Sequence, residues 1–156
     1  MTPDCHHPTA AQARIRVLAG GSSAGRYLRL TAPISIWGGV DPQTGTITDR
    51  NHPQHGLSLT GRAVHLSASR GSSSSSSVLL ECVRLNTAPA IFLIDNPDLI
   101  ITIGATAAWA IYRRGPTVGL IEKQIRAVDG DIIQCRIDGT VLIEKQRKVA
   151  RTRPHN

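Results

Sequence analysis

The spacing of apolar and polar positions divides the chain into short segments, most of them strand-like. Ala13 to Leu18 alternates and predicts a first strand, stopped by Gly20-Gly21-Ser22-Ser23. Arg26–Leu30 and Pro33–Trp37 read as a second and a third. The texture then changes. Gly38-Gly39-Val40-Asp41-Pro42-Gln43-Thr44-Gly45 and Thr48-Asp49-Arg50-Asn51-His52-Pro53 are dense in turn formers and predict one long loop. Alternation returns from Arg62 to Ser69, with Ala63, His65, Ser67 and Ser69 on one face. Six serines follow, Ser72 to Ser77, and then Val78, Leu79, Cys82 and Val83 fall on one helical stripe ending near Asn86-Thr87. Pro89 to Ile94 is an apolar run of the kind buried on both faces of a sheet. Asp95-Asn96-Pro97-Asp98 breaks it and is placed to cap a helix over Leu99–Ala110. Thr117–Leu120, Ile132–Ile137 and Thr140–Ile143 predict further strands, the last two joined by the hairpin signal Asp138-Gly139.

Composition agrees with this pattern. The chain is 40% apolar and only 3% aromatic, which suits a packed α/β or β-rich body and argues against disorder across it. Its 156 residues suit one domain with a sizeable core. Residues 1–12 read as a flexible arm, 13–144 as the folded domain and 145–156 as a basic tail. The formal net charge of +7 would by itself invite nucleic acid. Five of the cations (Lys145, Arg147, Lys148, Arg151 and Arg153) lie in the tail, and the body holds 13 cations against 11 acids. A near-neutral body with few aromatics opposes base stacking, so no nucleic-acid partner is expected. Cys5, Cys82 and Cys135 form no Cys-x-x-Cys pair and read as reduced thiols, the last two buried. No metal site is expected from them, from Cys5-His6-His7 in the arm, or from His52 and His55, which Pro53 separates. The polar start has no secretory character, and the run Leu99–Tyr112 is too short to span a bilayer. No membrane association is expected, and the cytoplasm is the expected compartment.

Chemistry concentrates around Arg70-Gly71-Ser72-Ser73. A Gly-Ser run between strand and helix differs from a flexible linker. It sets hydroxyls and amides at a helix N-terminus, where unpaired N–H groups and the helix dipole receive an anion. The residues alone leave three readings open: a cradle for a carboxylate or phosphate, an activated serine for proton or acyl transfer, or structural capping. No Gly-x-Ser-x-Gly elbow supports a hydrolase. Arg70 is able to clamp a carboxylate and lower the cost of an alkoxide, or to be a surface arginine at a loop edge. The long loop adds Asp41, Asp49 and His52, which hydrogen-bond or titrate; loops of this length inside a compact domain are normally functional, and Asp49 and Asn51 are also suited to holding the loop's own turns.

Several ordered motifs carry a resemblance. Gly38-Gly39-Val40-Asp41-Pro42-x-Thr-Gly-x-Ile, Asp49-x-Asn51-His52-Pro53-x-His-Gly56, Gly61, Arg70-Gly71-Ser72, Ala88-Pro89-Ala90 and Ile103-Gly104-Ala105 together resemble the small subunit, or swivel domain, of aconitase X enzymes over roughly Arg14 to Ile143. The resemblance implies a β/β/α swivel with a closed or barrel-like sheet and a few flanking helices. It implies a hydro-lyase assembled with a large subunit as a heterodimer. That partner carries the iron or iron–sulfur centre, while this chain binds no cofactor or metal and supplies a serine proton acceptor. By motif, Ser72 is that acceptor, and Arg70, Gly71, Ser73, Gly39, Asp41 and His52 are the expected contacts of a small hydroxy-acid substrate. Two substrates compete. Archaeal-type small subunits act on phosphomevalonate and tend to carry Lys-Gly-Ser-Thr in the loop, whereas bacterial-type members with Arg-Gly-Ser-Ser-Ser-Ser resemble cis-3-hydroxy-L-proline dehydratases. This sequence has the second form. A catalytically silent swivel domain that only binds a partner is the remaining alternative. Leu66-Ser67-Ala68-Ser69, where the family often has a proline before the loop, departs from the pattern.

Overall fold

The computed structural model describes residues 11–146; the Cys5-His6-His7 cluster, most of the expected arm and nearly all of the basic tail lie outside them. Seven strands close into a barrel in the order β1-β7-β6-β5-β2-β8-β9. They are β1 (Ala11–Ala19), β2 (Ser23–Arg29), β5 (Ala63–Leu66), β6 (Ile91–Ile94), β7 (Thr117–Ile121), β8 (Ile132–Cys135) and β9 (Thr140–Glu144). β2, β5, β6 and β7 run parallel, and β1, β8 and β9 close the circle antiparallel. Parallel neighbours need crossovers, and helices α2 (Ser74–Arg84) and α3 (Leu99–Tyr112) supply two of them. β1 begins at Ala11 and pairs Ala11 with Ile143 and Gln12 with Leu142, so pairing starts two residues ahead of the expected boundary.

The side-chain period of two sorts the central strands into two cores. Ala63, Ile91, Leu93, Ile133, Val141 and Ile143 gather with Tyr27 in one buried cluster, which fills the barrel. Val64, Leu66, Phe92, Ile94, Val118 and Leu120 face the other way and meet Leu79 and Cys82 of α2 and Ile101 and Ala105 of α3. Residues 91–94 are all buried, as a run apolar on both faces requires. Gly104 lets the two helices approach, since a Cβ there would stand 3.1 Å from both Leu79 Cδ2 and the Ser76 carbonyl oxygen. Asp98 caps α3 by accepting from Ile101 N.

Four expectations change. Pro33–Trp37 is not a strand: only Ile34 bridges, to Ser69. Ile36–Gly39 is a tight turn (α1), because Ser35 Oγ donates to Trp37 O at 2.7 Å and Gly38 takes φ +72°. The turn-rich stretch after it holds a small hairpin, β3 (Val40–Asp41) with β4 (Thr46–Ile47). Finally β5 ends at Leu66, so Ser67 and Ser69 belong to the loop beyond it, and Ile132–Ile137 shortens to Ile132–Cys135.

Candidate functional site

The serine loop leaves β5 after Leu66 and enters α2 at Ser74. Neighbouring segments grip both of its flanks. On one side, Arg70 N donates to Ile34 O at 2.8 Å, and the buried Ser75 Oγ accepts from Trp37 N at 3.0 Å. Between these bonds Gly71 sits at φ +123°, where a Cβ would come within 2.5 Å of Ser35 Oγ, so only glycine fits the turn. On the other side, Ser76 Oγ donates to Ile100 O at 2.8 Å, Asn96 Nδ2 donates to Ser67 O at 3.0 Å, and Ser69 Oγ donates to Asp98 Oδ2. The tip from Arg70 to Ser74 remains exposed.

Ser72 stands where the helix begins. Its Oγ accepts from Ser74 N at 3.1 Å, and its carbonyl accepts from Ser75 N at 3.0 Å. Ser73, at the N-cap position, makes no cap with its own hydroxyl. Negative charge growing on Ser72 Oγ therefore meets an amide N–H already directed at it and the positive end of the α2 dipole. Arg70 Nη2 reaches only Pro33 O, at 3.3 Å, and its guanidinium has no ion pair among the described residues. The tip can receive an anion and hold a hydroxyl whose conjugate base is stabilised.

Arg70, Gly71, Ser72 and Ser73 thus stand together by succession. Gly39 ends the α1 turn instead, buried near Ile34 and Asp49, with its carbonyl accepting from Thr48 N at 2.9 Å. Asp41 and His52 act elsewhere. Asp41 holds the β3–β4 hairpin, its carboxylate accepting from Gln43 N and from Thr44 Oγ1, each at 2.9 Å. His52 is buried, with Nε2 3.1 Å from Ala32 O and Nδ1 accepting from Gln54 N. Asp49 holds its own turn, accepting from Asn51 N.

Sequence reasoning passed over a polar chain that runs from the buried Tyr27 and His65 to the exposed Asp95. Tyr27 OH lies 2.6 Å from His65 Nδ1, and His65 Nε2 lies 2.8 Å from Asp95 Oδ1. Facing a carboxylate, Nε2 must carry the proton, so Nδ1 accepts and Tyr27 donates. Burial raises the Tyr27 hydroxyl above its ordinary range, against the opposing charge of Arg29, and keeps it a donor. The available signal was a lone histidine in the buried run Ala63-Val64-His65-Leu66, which demands partners. Cys82 and Cys135 are buried free thiols; burial raises both, Cys135 to about 12. Among the described residues no three His, Cys, Asp or Glu side chains gather as metal ligands. Nor is any helix among them long and apolar enough to cross a membrane.

The chain is thus a closed mixed barrel, backed by two helices, that shows an exposed Gly-Ser loop at a helix N-terminus. Residues 12–145 match the family model described as the aconitase X swivel domain, and the chain belongs to that family. It is 41% identical over 109 residues to the cis-3-hydroxy-L-proline dehydratase of Pseudomonas aeruginosa, a match that covers 70% of this chain and 19% of that protein. It is 36% identical over 120 residues to the phosphomevalonate dehydratase small subunit of Methanothermobacter thermautotrophicus, covering 74% of this chain and 92% of that one. The chain thus spans about a fifth of the first relative's length and nearly all of the second's. The crystal structure of Thermococcus kodakaraensis aconitase X in its holo-form superposes with a TM-score of 0.76 at 24% identity, over 86% of this chain and 99% of that one, which shows the shared fold.

Proposed function

We propose that this chain is the swivel subunit of a cytoplasmic aconitase X hydro-lyase that dehydrates cis-3-hydroxy-L-proline. Ser72 is its proton acceptor. The observation that carries this reading is the setting of Ser72 Oγ, exposed at the loop tip and already accepting from Ser74 N at the head of α2. A serine hydroxyl is a weak base, and it removes a proton beside a carboxylate only where its own negative charge is held. The α2 amides do that here, and Arg70 pairs with the substrate carboxylate, aided by the Ser73 hydroxyl. In the reaction the proton of the C–H bond next to the carboxylate passes to the Ser72 alkoxide, its electron pair forms the new C=C bond, and the hydroxyl on the neighbouring carbon leaves as hydroxide, which takes a proton from solvent to become water. Membership of the aconitase X swivel family supports assigning an iron or iron–sulfur centre to a large partner subunit, and no step on this chain runs through it.

The substrate assignment rests on the Arg-Gly-Ser-Ser loop and on the likeness to the Pseudomonas relative. A second reading, the small subunit of a phosphomevalonate dehydratase, is favoured by the 92% coverage of the Methanothermobacter relative. A partner is supported by the apolar rim of the loop, where Trp37 and Leu99 are 59% and 75% exposed. The test is co-purification with a large aconitase X subunit, then a screen of hydroxyprolines against phosphomevalonate, following loss of water. Turnover of cis-3-hydroxy-L-proline is expected only from the complex, and Ser72→Ala should lower kcat by about 100-fold or more. Undiminished turnover by that variant would refute the assignment of the base.

A further inference from the structure

From the way the β6–α3 connection holds the loop, we infer that Asp98 is a positioning residue for Ser72, acting through the hydroxyl of Ser69. The inference rests on the reading of Ser72 as proton acceptor. Asp98 divides its carboxylate between two tasks. Oδ1 accepts from Ile101 N at 2.9 Å and starts α3, while Oδ2 accepts from the hydroxyl of Ser69. Ser69 is the last residue held before the exposed tip, since the Ile34 bridge and the Arg70 N–Ile34 O bond act at the same point from the opposite side. Ser72 lies three residues beyond. Its Oγ is directed only by its bond from Ser74 N, so the angle at which the chain leaves Ser69 sets where that oxygen points.

The connection that carries Asp98 is itself anchored in the barrel. Asp95 receives His65 Nε2 at 2.8 Å, and His65 is locked in turn by Tyr27 at 2.6 Å; the His65 side chain is only 4% exposed. Asp95 N also donates to Leu66 O at 3.2 Å, and Asn96 Nδ2 holds Ser67 O. A turn fixed at both ends needs no further bond to keep its own shape. The Ser69–Asp98 bond therefore serves the serine loop. A carboxylate with one oxygen on a helix cap and the other on a loop hydroxyl ties the start of the serine loop to the head of α3.

Ser69→Ala removes this hold while leaving the α3 cap and every residue of the tip in place, and Ser69→Thr keeps the hydroxyl. In the complex with the large subunit, Ser69→Ala should lower kcat about tenfold or more with KM within about twofold, since misplacement of a reacting atom by 1 Å is enough for such a loss. Ser69→Thr should recover most of kcat, and thermal unfolding of both variants should stay within about 4 °C of the parent, the shift expected from one lost hydrogen bond. Wild-type kcat in Ser69→Ala, or an equal loss in Ser69→Thr, would overturn the inference. Ser72→Ala run beside them separates the failures. If it turns over normally the assignment of the base is wrong, and if it is inactive while Ser69→Ala is unaffected, only the positioning role falls.

Discussion

Replacing Gly71 with alanine tests whether the loop needs its shape as well as its hydroxyls. Two costs add. The first is conformational, because φ +123° is a backbone setting that side chains with a Cβ avoid, at about 1–3 kcal/mol. The second is steric. The new Cβ would stand 2.5 Å from Ser35 Oγ and 3.3 Å from Ser35 Cβ. Ser35 cannot turn its hydroxyl aside without losing its 2.7 Å bond to Trp37 O, a loss of about 1 kcal/mol. Together they predict a destabilisation of about 3 kcal/mol, or roughly 6–12 °C in Tm for a domain of this size. Differential scanning calorimetry on the single variant measures this. A double-mutant cycle with Ser35→Ala locates it: removing the hydroxyl relieves the 2.5 Å contact but leaves the backbone setting, so the pair should recover about 1 kcal/mol relative to additivity. A Gly71→Ala variant melting within about 1 °C of the parent, or a strictly additive pair, would show that the loop relaxes freely and that the argument from its geometry is mistaken.

Two other expectations concern titration and thiols. Burial pushes the Asp131 carboxyl up, but its bonds from Val128 N, Lys145 Nζ and Gln146 N outweigh this and hold it below the ordinary 3.8. The stability it contributes is therefore complete above that value and lost as the pH falls through the lower folded-state one. Denaturant melts between pH 7 and pH 2 should show this acid limb flattened in Asp131→Asn, and an unchanged limb would exclude Asp131 as its source. Cys82 and Cys135, both raised by burial and Cys135 to about 12, should resist a disulfide reagent at pH 8 in the native protein and react after unfolding in urea. Peptide mapping of the labelled sites checks this, and rapid native labelling of either would contradict the packing described.

The parts of the fold readable from sequence are those where one physical demand dominates. The run Ile91–Ile94 had to be buried on both faces, and Asp98 had to cap the helix after it. Pro33–Trp37 misled because apolar alternation says nothing of pairing: no strand lies beside it, and Ser35 and Gly38 bend it into the turn that supports the serine loop. The loop's own residues were legible because glycine, arginine and serine stand next to one another. The hold of Asp98 on Ser69, and the Tyr27–His65–Asp95 chain, join residues 29 to 38 apart, and a single sequence gives no record of such contacts.

Six consecutive serines look like low complexity, yet the structure asks different things of them. Ser72 turns its Oγ to Ser74 N and leaves that oxygen exposed. Ser75 is buried, with its oxygen on Trp37 N, and no larger side chain could keep that bond in that space. Ser76 reaches the carbonyl of Ile100 and ties α2 to α3 at the point where Gly104 lets them close. Ser73 and Ser74 face solvent at the helix head with their hydroxyls uncommitted to the cap. A flexible linker would have equivalent positions, and alanine at any of them would cost the same small amount. Here the inward pair should matter for folding and the outward ones for whatever settles on the tip. The repeated residue is thus the one side chain small enough for the interior, polar enough for a helix start and reactive enough for the exposed edge.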